Sequence, residues 1–331
     1  MVTDRQDRIW FPFRRRLPPG LRRFIFPPTP PGPVFFSFPA ASRLRTPFQG
    51  MSLAVLGPGL LGGSLLLDAR ARGVRELRVW GRREASLQQV RDRGLADLAS
   101  TDAQLVAEGA DFLVLCVPVG GMKAIAGSIA QATLGGKSVV TDVGSVKASV
   151  LAEAGAVFRQ AGIPFVGSHP MAGAEVAGLE AARAGLFQGA ACILTPEPDT
   201  DSGALGKVDA FWQALGCRTA HMAATRHDEV VARISHLPHL AAVAATLASF
   251  KPDASMAGFA AGGLRDTTRV ASGLPSMWRE ILMENRQAIL PALTDLHRVT
   301  GELLEILQKA DEDLLLSRLE EARDLRATRY S

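Results

Sequence analysis

The stretch "LAVLGPGLLGGSL" constrains this chain more than any other. An apolar run ends in Gly57, Gly59 and Gly62, spaced GxGxxG, and a helical pattern opens there. A dinucleotide-binding strand–turn–helix needs glycine at each point: Gly57 for the tight turn, Gly59 so that backbone amides can approach a pyrophosphate, and Gly62 so that helix and strand pack closely. The helix, beginning at Leu60 and Leu61, is expected to turn its N-terminus toward the phosphates.

From Ser52 onward apolar strand runs alternate with helical stretches, the pattern of a parallel sheet with crossover helices. Strands are expected at 53–56, 77–80, 112–117, 138–141, 164–166 and 191–194, with helices near 61–72, 84–93, 102–108, 121–131, 147–160 and 205–215. The fold class is α/β: a Rossmann-type, doubly wound dinucleotide-binding domain over 51–224. After about Arg226 the strand signal stops. Val230, Ile234, Leu237, Leu240, Val243 and Leu247 recur at spacings of three and four, one face of a long helix that Pro238 is expected to kink. Leu-rich segments follow at 276–298 and 300–327, so an all-helical domain is expected over 225–331. Helices this apolar call for a covering partner, and a homodimer through the helical domain is the expectation.

Residues 1–50 read differently. Crowded with Pro, Arg and Phe, they show no strand or helix period, and they are expected to be a disordered extension, with Met51 as the native start; a targeting peptide is the alternative. This segment holds nine Arg and two Asp, leaving 28 basic against 31 acidic residues in the rest. The net charge of +4 therefore comes from the tail, and no basic stripe with interleaved aromatics points to nucleic acid. Cys116, Cys192 and Cys217 are widely spaced, without metal-ligand or disulfide patterning, so no metal is expected and a reducing cytoplasm fits best. No apolar run reads as the roughly 20-residue membrane span.

The cofactor type turns on the end of the second strand. An NAD site places Asp or Glu there for the ribose hydroxyls, but "RVWGRRE" offers Gly81, then Arg82 and Arg83. Two guanidiniums would bind a 2′-phosphate that a carboxylate repels, so NADP is expected to be preferred, with NAD possible.

Three further stretches fall at carboxyl ends of strands, where an open α/β sheet presents ligands. "LCVPVGG" holds Val117 and Pro118, "TDVGSVK" holds Asp142 and Ser145, and "VGSHPMAGAE" holds His169 and Glu175. Val117, Pro118 and Asp142 are expected beside the cofactor. Each stretch has a structural reading, Ser145 as a helix cap for instance, but together they bring a hydroxyl, an imidazole and a carboxylate to one crevice. In "SHLPHL", His236 and His239 fall on one helix face; in "GGLRDTTR", Arg265 and Arg269 are one turn apart and suit a substrate with carboxylates.

The combination of GxGxxG, TDVGSVK, GSHPMAGAE, SHLPH, Gly-Gly…Arg-Asp-x-Thr-Arg and "MWREILMEN" resembles the prephenate/arogenate dehydrogenase family of tyrosine biosynthesis, in its short monofunctional form, over residues 52 to about 300. The resemblance implies hydride transfer from a cyclohexadienol to NAD(P) with loss of carbon dioxide, giving 4-hydroxyphenylpyruvate from prephenate or tyrosine from arogenate. It implies His169 as the catalytic histidine that accepts the hydroxyl proton and Ser145 as the residue that orients it. Arg269 would clamp a substrate carboxylate, with His236, His239, Glu175 and Trp278 around the pocket.

Two other readings stay open. A β-hydroxyacid dehydrogenase would need a lysine on the first long helix of the helical domain, and none precedes Lys251 there. A non-catalytic NADP sensor on the same fold would keep the binding residues without turnover.

Overall fold

Residues 35–37, 48–173 and 176–330 are described by the computed structural model of the chain. Among the described residues, nine strands form one sheet: β1 (Phe35–Ser37), β2 (Ser52–Leu56), β3 (Glu76–Trp80), β4 (Leu98–Ser100), β5 (Phe112–Leu115), β6 (Val139–Asp142), β7 (Phe165–Pro170), β8 (Ala191–Thr195) and β9 (Arg218–His221). Their spatial order is β1-β9-β8-β7-β6-β5-β2-β3-β4. The six strands β2 to β7 run parallel, and counted from β2 they stand in the order 3-2-1-4-5-6 of a doubly wound nucleotide-binding sheet. The winding reverses between β2 and β5, so a crevice opens where Gly57 follows β2 and Cys116 follows β5.

Burial on both faces explains the near-continuous apolar strands. Along β2, Leu53 and Val55 point into one core with Leu65, Leu77, Phe112 and Trp212, while Ala54 and Leu56 point into the other with Val106, Leu113, Ile125 and Phe158. Val55 pairs with Val79 on one side and Val114 on the other.

Three strand features depart from the sequence expectation. β4 and β9, of three and four residues, carry too little apolar pattern to be read. β7 runs through Gly167–Pro170, where the sequence indicates a loop, because that stretch pairs with β8, antiparallel to it, rather than extending the parallel ladder. His169 therefore sits on a strand, paired with Ile193, and its position is fixed by main-chain hydrogen bonds.

Two parts of the segment before Met51 are among the described residues. β1 lies within the expected extension yet pairs with β9, Phe36 opposite Ala220. Phe48 is fully buried, its ring 5.4 Å from that of Phe211, which stacks on Phe112 at 4.3 Å. The remaining residues of 1–50 lie outside those described.

After β9 the chain is helical. The helix Ala224–Phe250 contains a π turn at Ala232–His236, immediately before the Leu237–Pro238 step. A proline offers no N–H and crowds the carbonyl four residues back, and the wider turn accommodates both. Its buried positions are His227, Asp228, Val231, Ala232, His236, His239 and Ala242. The periodic apolar stripe faces the other way: Ile234 is 61% and Leu247 56% exposed. This helix is apolar and long enough to cross a membrane by composition, contrary to the sequence reading. Its inward face, however, carries four polar side chains into the chain's own interior. Among the described residues, all the exposed large apolar side chains except Leu105 and Val176 lie from Ile234 onward.

Candidate active site

The glycine turn has the geometry its spacing demands. Gly57 has φ +118°, and a Cβ there would lie 2.6 Å from the Cys116 carbonyl oxygen; one on Gly62 would lie 2.0 Å from the carbonyl oxygen of Gly57. A Cβ on Gly59 would meet nothing within 4 Å, so its side of the turn is open to a ligand. The first helical hydrogen bond runs from Gly63 N–H to Gly59 O, 2.8 Å, which leaves the N–H groups of Leu60, Leu61 and Gly62 without acceptors inside the helix. A pyrophosphate fits such a cradle.

Around it lies a cleft of about 910 Å³, lined among others by Gly57, Gly59, Arg82, Arg83, Val117 and Pro118. Leu60, Leu61 and Gly62 form the helix start rather than the wall. Gly81, where a ribose-binding acid would stand, is buried, and a Cβ there would meet Leu87 at 2.9 Å. Arg82 and Arg83 are exposed at the cleft. The helix Pro275–Glu284 reaches the same cleft, where the Glu280 carboxylate accepts the Gly120 N–H.

Asp142 does not line this cleft. It is completely buried and ion-paired with Lys147, itself completely buried, and it accepts N–H bonds from Gly144 at 2.8 Å and Ser168 at 3.0 Å. Lys147 Nζ also donates to Ser168 O, 2.9 Å. The pair therefore ties the end of β6 to the residue before His169. Burial pushes the Lys147 ammonium down, against the pull of Asp142.

His169 is buried at the end of β7, and its Nδ1 lies 2.9 Å from His227 Nε2. His227 Nδ1 lies 2.7 Å from Asp228 Oδ1. The Asp228 carboxylate also accepts the main-chain N–H groups of Lys147 at 2.8 Å and Ala148 at 2.9 Å, so the first turn of the helical region docks on the end of the sheet. Burial drives the His169 pKa well below 6.5, and positive charge on His227, Lys147 and His236 adds to the effect. Burial also lowers His227, opposed by its bond to Asp228, and pushes His236 down to about 4. The imidazoles at the centre are thus neutral at pH 7.

Asn285 joins the second half of the site, its Nδ2 donating to Asp228 O at 2.9 Å and lying 3.1 Å from His236 Nδ1. Trp278 stacks on His239 at 3.6 Å and meets His236 edge-on at 6.1 Å. Among the described residues, His239 Nδ1 is buried and has no hydrogen-bond partner. Arg269 is exposed at the start of a 3-10 turn, Arg269–Ser272, packed beside Leu237–Phe250. Arg265 is exposed, 3.9 Å from Asp266.

Of the residues expected from sequence, His169, His236 and His239 belong to this buried constellation, and the half-buried Trp278 packs against it. Ser145 is half-buried and makes no hydrogen bond to His169, whose partner is His227 instead. Glu175 lies outside the described residues. Lys147, His227, Asp228 and Asn285 went unread in the sequence. The adjacent His-Asp in "TRHDEV" was the available signal, because a buried acid beside a histidine orients it. Among the described residues, no three His, Cys, Asp or Glu side chains are grouped to hold a metal ion.

Residues 68–221 match the family described as "Prephenate dehydrogenase, nucleotide-binding domain", and residues 223–321 match "Prephenate dehydrogenase, dimerization domain". The cyclohexadienyl dehydrogenase of Zymomonas mobilis is 33% identical over 282 residues, 83% of this chain and 94% of that protein. The prephenate dehydrogenase of Bacillus subtilis is 31% identical, over 83% of this chain and 75% of its own length. A crystal structure of prephenate dehydrogenase from A. aeolicus with hydroxyphenyl propionate and NAD+ superposes with a TM-score of 0.77 at 29% identity, covering 84% of this chain and 98% of that one. Synechocystis arogenate dehydrogenase gives 0.69 at 28% identity, covering 84% and 99%.

Proposed function

The chain belongs to the prephenate dehydrogenase family, a family of oxidoreductases of tyrosine biosynthesis, and on that premise we propose that it oxidatively decarboxylates prephenate or arogenate. The observation that carries this reading is a buried, neutral imidazole, His169, near the carboxyl end of β7, on the same edge of the parallel sheet as the glycine turn that follows β2.

His169 takes the proton of the ring hydroxyl as carbonyl character develops at that carbon. Being neutral near pH 7, it has the lone pair to do so. The nicotinamide, when bound, supplies the acceptor for the hydride from the same carbon, and departure of the ring carboxylate as carbon dioxide makes the ring aromatic. Leu60, Leu61 and Gly62 N–H groups hold the pyrophosphate, while Arg82 and Arg83 favour the 2′-phosphate of NADP+ over NAD+. Arg269 clamps a substrate carboxylate, and His236, His239 and Trp278 wall the pocket, so that the ring is held against the cofactor. Ser145 contacts the substrate hydroxyl rather than the histidine.

The nucleotide-binding part spans 51–224, preceded by Phe48, and the helical part 225–331. The exposed stripe of Ile234 and Leu247, with the apolar faces that follow it, is covered by a second copy in a homodimer. Free thiols at Cys116, Cys192 and Cys217 agree with a cytoplasmic enzyme.

The test is an absorbance assay of each substrate against each cofactor. We expect reduction of cofactor with prephenate or arogenate, and higher kcat/KM with NADP+ than with NAD+. No reduction with either substrate would refute the activity; equal or better use of NAD+ would refute the role of the arginines.

A further inference from the structure

We propose that His227, anchored by Asp228, is a positioning residue that locks His169 in the tautomer protonated on Nδ1, leaving Nε2 as the basic nitrogen. The inference rests on the catalytic reading of His169 given above, but the assignment of the proton follows from the hydrogen bonds alone.

It begins at Asp228. Its carboxylate already accepts two main-chain N–H groups, from Lys147 and Ala148, and both are fixed by the turn that starts the helix over 148–160. A carboxylate in that setting is an acceptor only. The bond at 2.7 Å to His227 must therefore have its proton on His227 Nδ1. A neutral imidazole carries one N–H, so His227 Nε2 presents a lone pair. Across 2.9 Å stands His169 Nδ1, and two facing lone pairs would repel; the proton between them belongs to His169 Nδ1. His169 then has its own lone pair on Nε2, the nitrogen turned away from the relay. The order Asp228, His227, His169 runs as a one-way chain of donors and acceptors whose direction is set by two backbone amides.

The ring planes agree with a hydrogen bond between the two ring nitrogens. His169 and His227 meet edge-on, at an interplanar angle of 64° with centroids 5.1 Å apart, so they interact through the ring-nitrogen bond rather than by stacking. His227 is completely buried, and its two ring nitrogens are both used, one by Asp228 and one by His169. Two outside contacts secure the anchor: Asn285 Nδ2 donates to Asp228 O, and Lys147, whose N–H holds the carboxylate, is itself fixed by Asp142. No proton needs to pass along the chain during turnover. The dyad of ionised Asp228 and neutral His227 holds the ring in one orientation and accepts the Nδ1–H more strongly as His169 gains positive charge.

The assignment separates His227 from a merely structural histidine. Replacing it by leucine removes the acceptor and keeps much of the volume, so that His169 can place its proton on Nε2 and turn off as a base. Replacing it by glutamine leaves a side-chain oxygen able to accept the Nδ1–H. We expect His227→Leu to lower kcat by about 100-fold or more, within the range for a mis-set general base. His227→Gln should retain at least about tenfold more turnover than His227→Leu. In both, the substrate KM and the cofactor Kd should stay within about threefold of the unsubstituted enzyme.

The decisive measurement is made on the unsubstituted, full-length protein, with nitrogen-15 in its six histidines and no substrate present. Long-range proton–nitrogen spectra, with His169 assigned by its loss in His169→Asn, should show His169 protonated on Nδ1 and unprotonated on Nε2 at pH 7.5. A proton on Nε2 overturns the proposal whatever His169 does in turnover. Equal turnover of the Leu and Gln variants overturns it as well. Failure of the catalytic reading would look different: an Nδ1-protonated His169 whose replacement leaves turnover intact.

Discussion

Replacing Lys147 by methionine should be among the most costly single changes in the nucleotide-binding part. Both partners of the Lys147–Asp142 pair are fully buried. Methionine keeps the stem volume but removes the ammonium, leaving the Asp142 carboxylate with only the Gly144 and Ser168 N–H groups and depriving Ser168 O of its donor. Stranding one charge of a buried pair costs about 3–5 kcal/mol. Asp142→Asn strands the ammonium instead and should cost a similar amount. The double variant Lys147→Met/Asp142→Asn contains no unpaired charge, so its loss should fall short of the sum of the single losses by about 2–3 kcal/mol. The assay is urea-induced unfolding followed by circular dichroism, at one fixed protein concentration because association would be linked to unfolding. A loss below about 1 kcal/mol for Lys147→Met, or strictly additive losses, would refute the reasoning, since either would mean that the two charges are not coupled in the interior.

Turnover should stay level as pH falls through 6.5 and decline only below it, because burial, with charge on His227, Lys147 and His236, holds the His169 pKa well under that value; an acid limb of kcat at 6.5 or above would contradict this. Stability follows a related course. His236 binds its proton at about 4 when folded and near 6.5 when unfolded, so its contribution is present above pH 6.5 and is lost as pH falls toward 4, by about 3 kcal/mol, measurable by denaturation at stepped pH. Gly62→Ala should destabilise by about 1–3 kcal/mol through overpacking against Gly57 O, whereas Gly59→Ala should leave the melting temperature alone and weaken cofactor binding; the reverse pattern would reassign the two glycines. Phe48→Ala should cost about 3–5 kcal/mol by thermal or urea unfolding, and a loss under 1 kcal/mol would place residue 48 outside the core.

The sheet was legible because strands such as Ser52–Leu56, buried on both faces, must be apolar throughout, and because the glycine turn pins one strand–helix junction in the sequence. β4 and β9 were not, since three or four residues with polar members hold no readable period. The helix Ala224–Phe250 was legible as a helix, but its apolar stripe is half-buried to exposed, while its buried face carries His227, Asp228, His236 and His239 beside Val231, Ala232 and Ala242. Binary patterning assumes that a helix buries its apolar side against its own chain, and this stripe has only half-buried and exposed positions. His169, His236 and His239 stood out by residue type. His227 and Asp228 did not, because what makes them part of the site is long-range: His227 meets a histidine 58 positions away, and Asp228 caps two amides 80 and 81 positions away. Lys147 is hidden for a different reason: only five positions from its partner Asp142, it is fully buried where a lysine is ordinarily solvated.

The central claim is that a neutral His169 at the end of β7 is the base for substrate oxidation. Measuring kcat and cofactor Kd for His169→Asn tests it most directly. The account predicts turnover lower by roughly 10²–10⁴-fold with cofactor affinity unchanged. Turnover within a few-fold of the unsubstituted enzyme would contradict it.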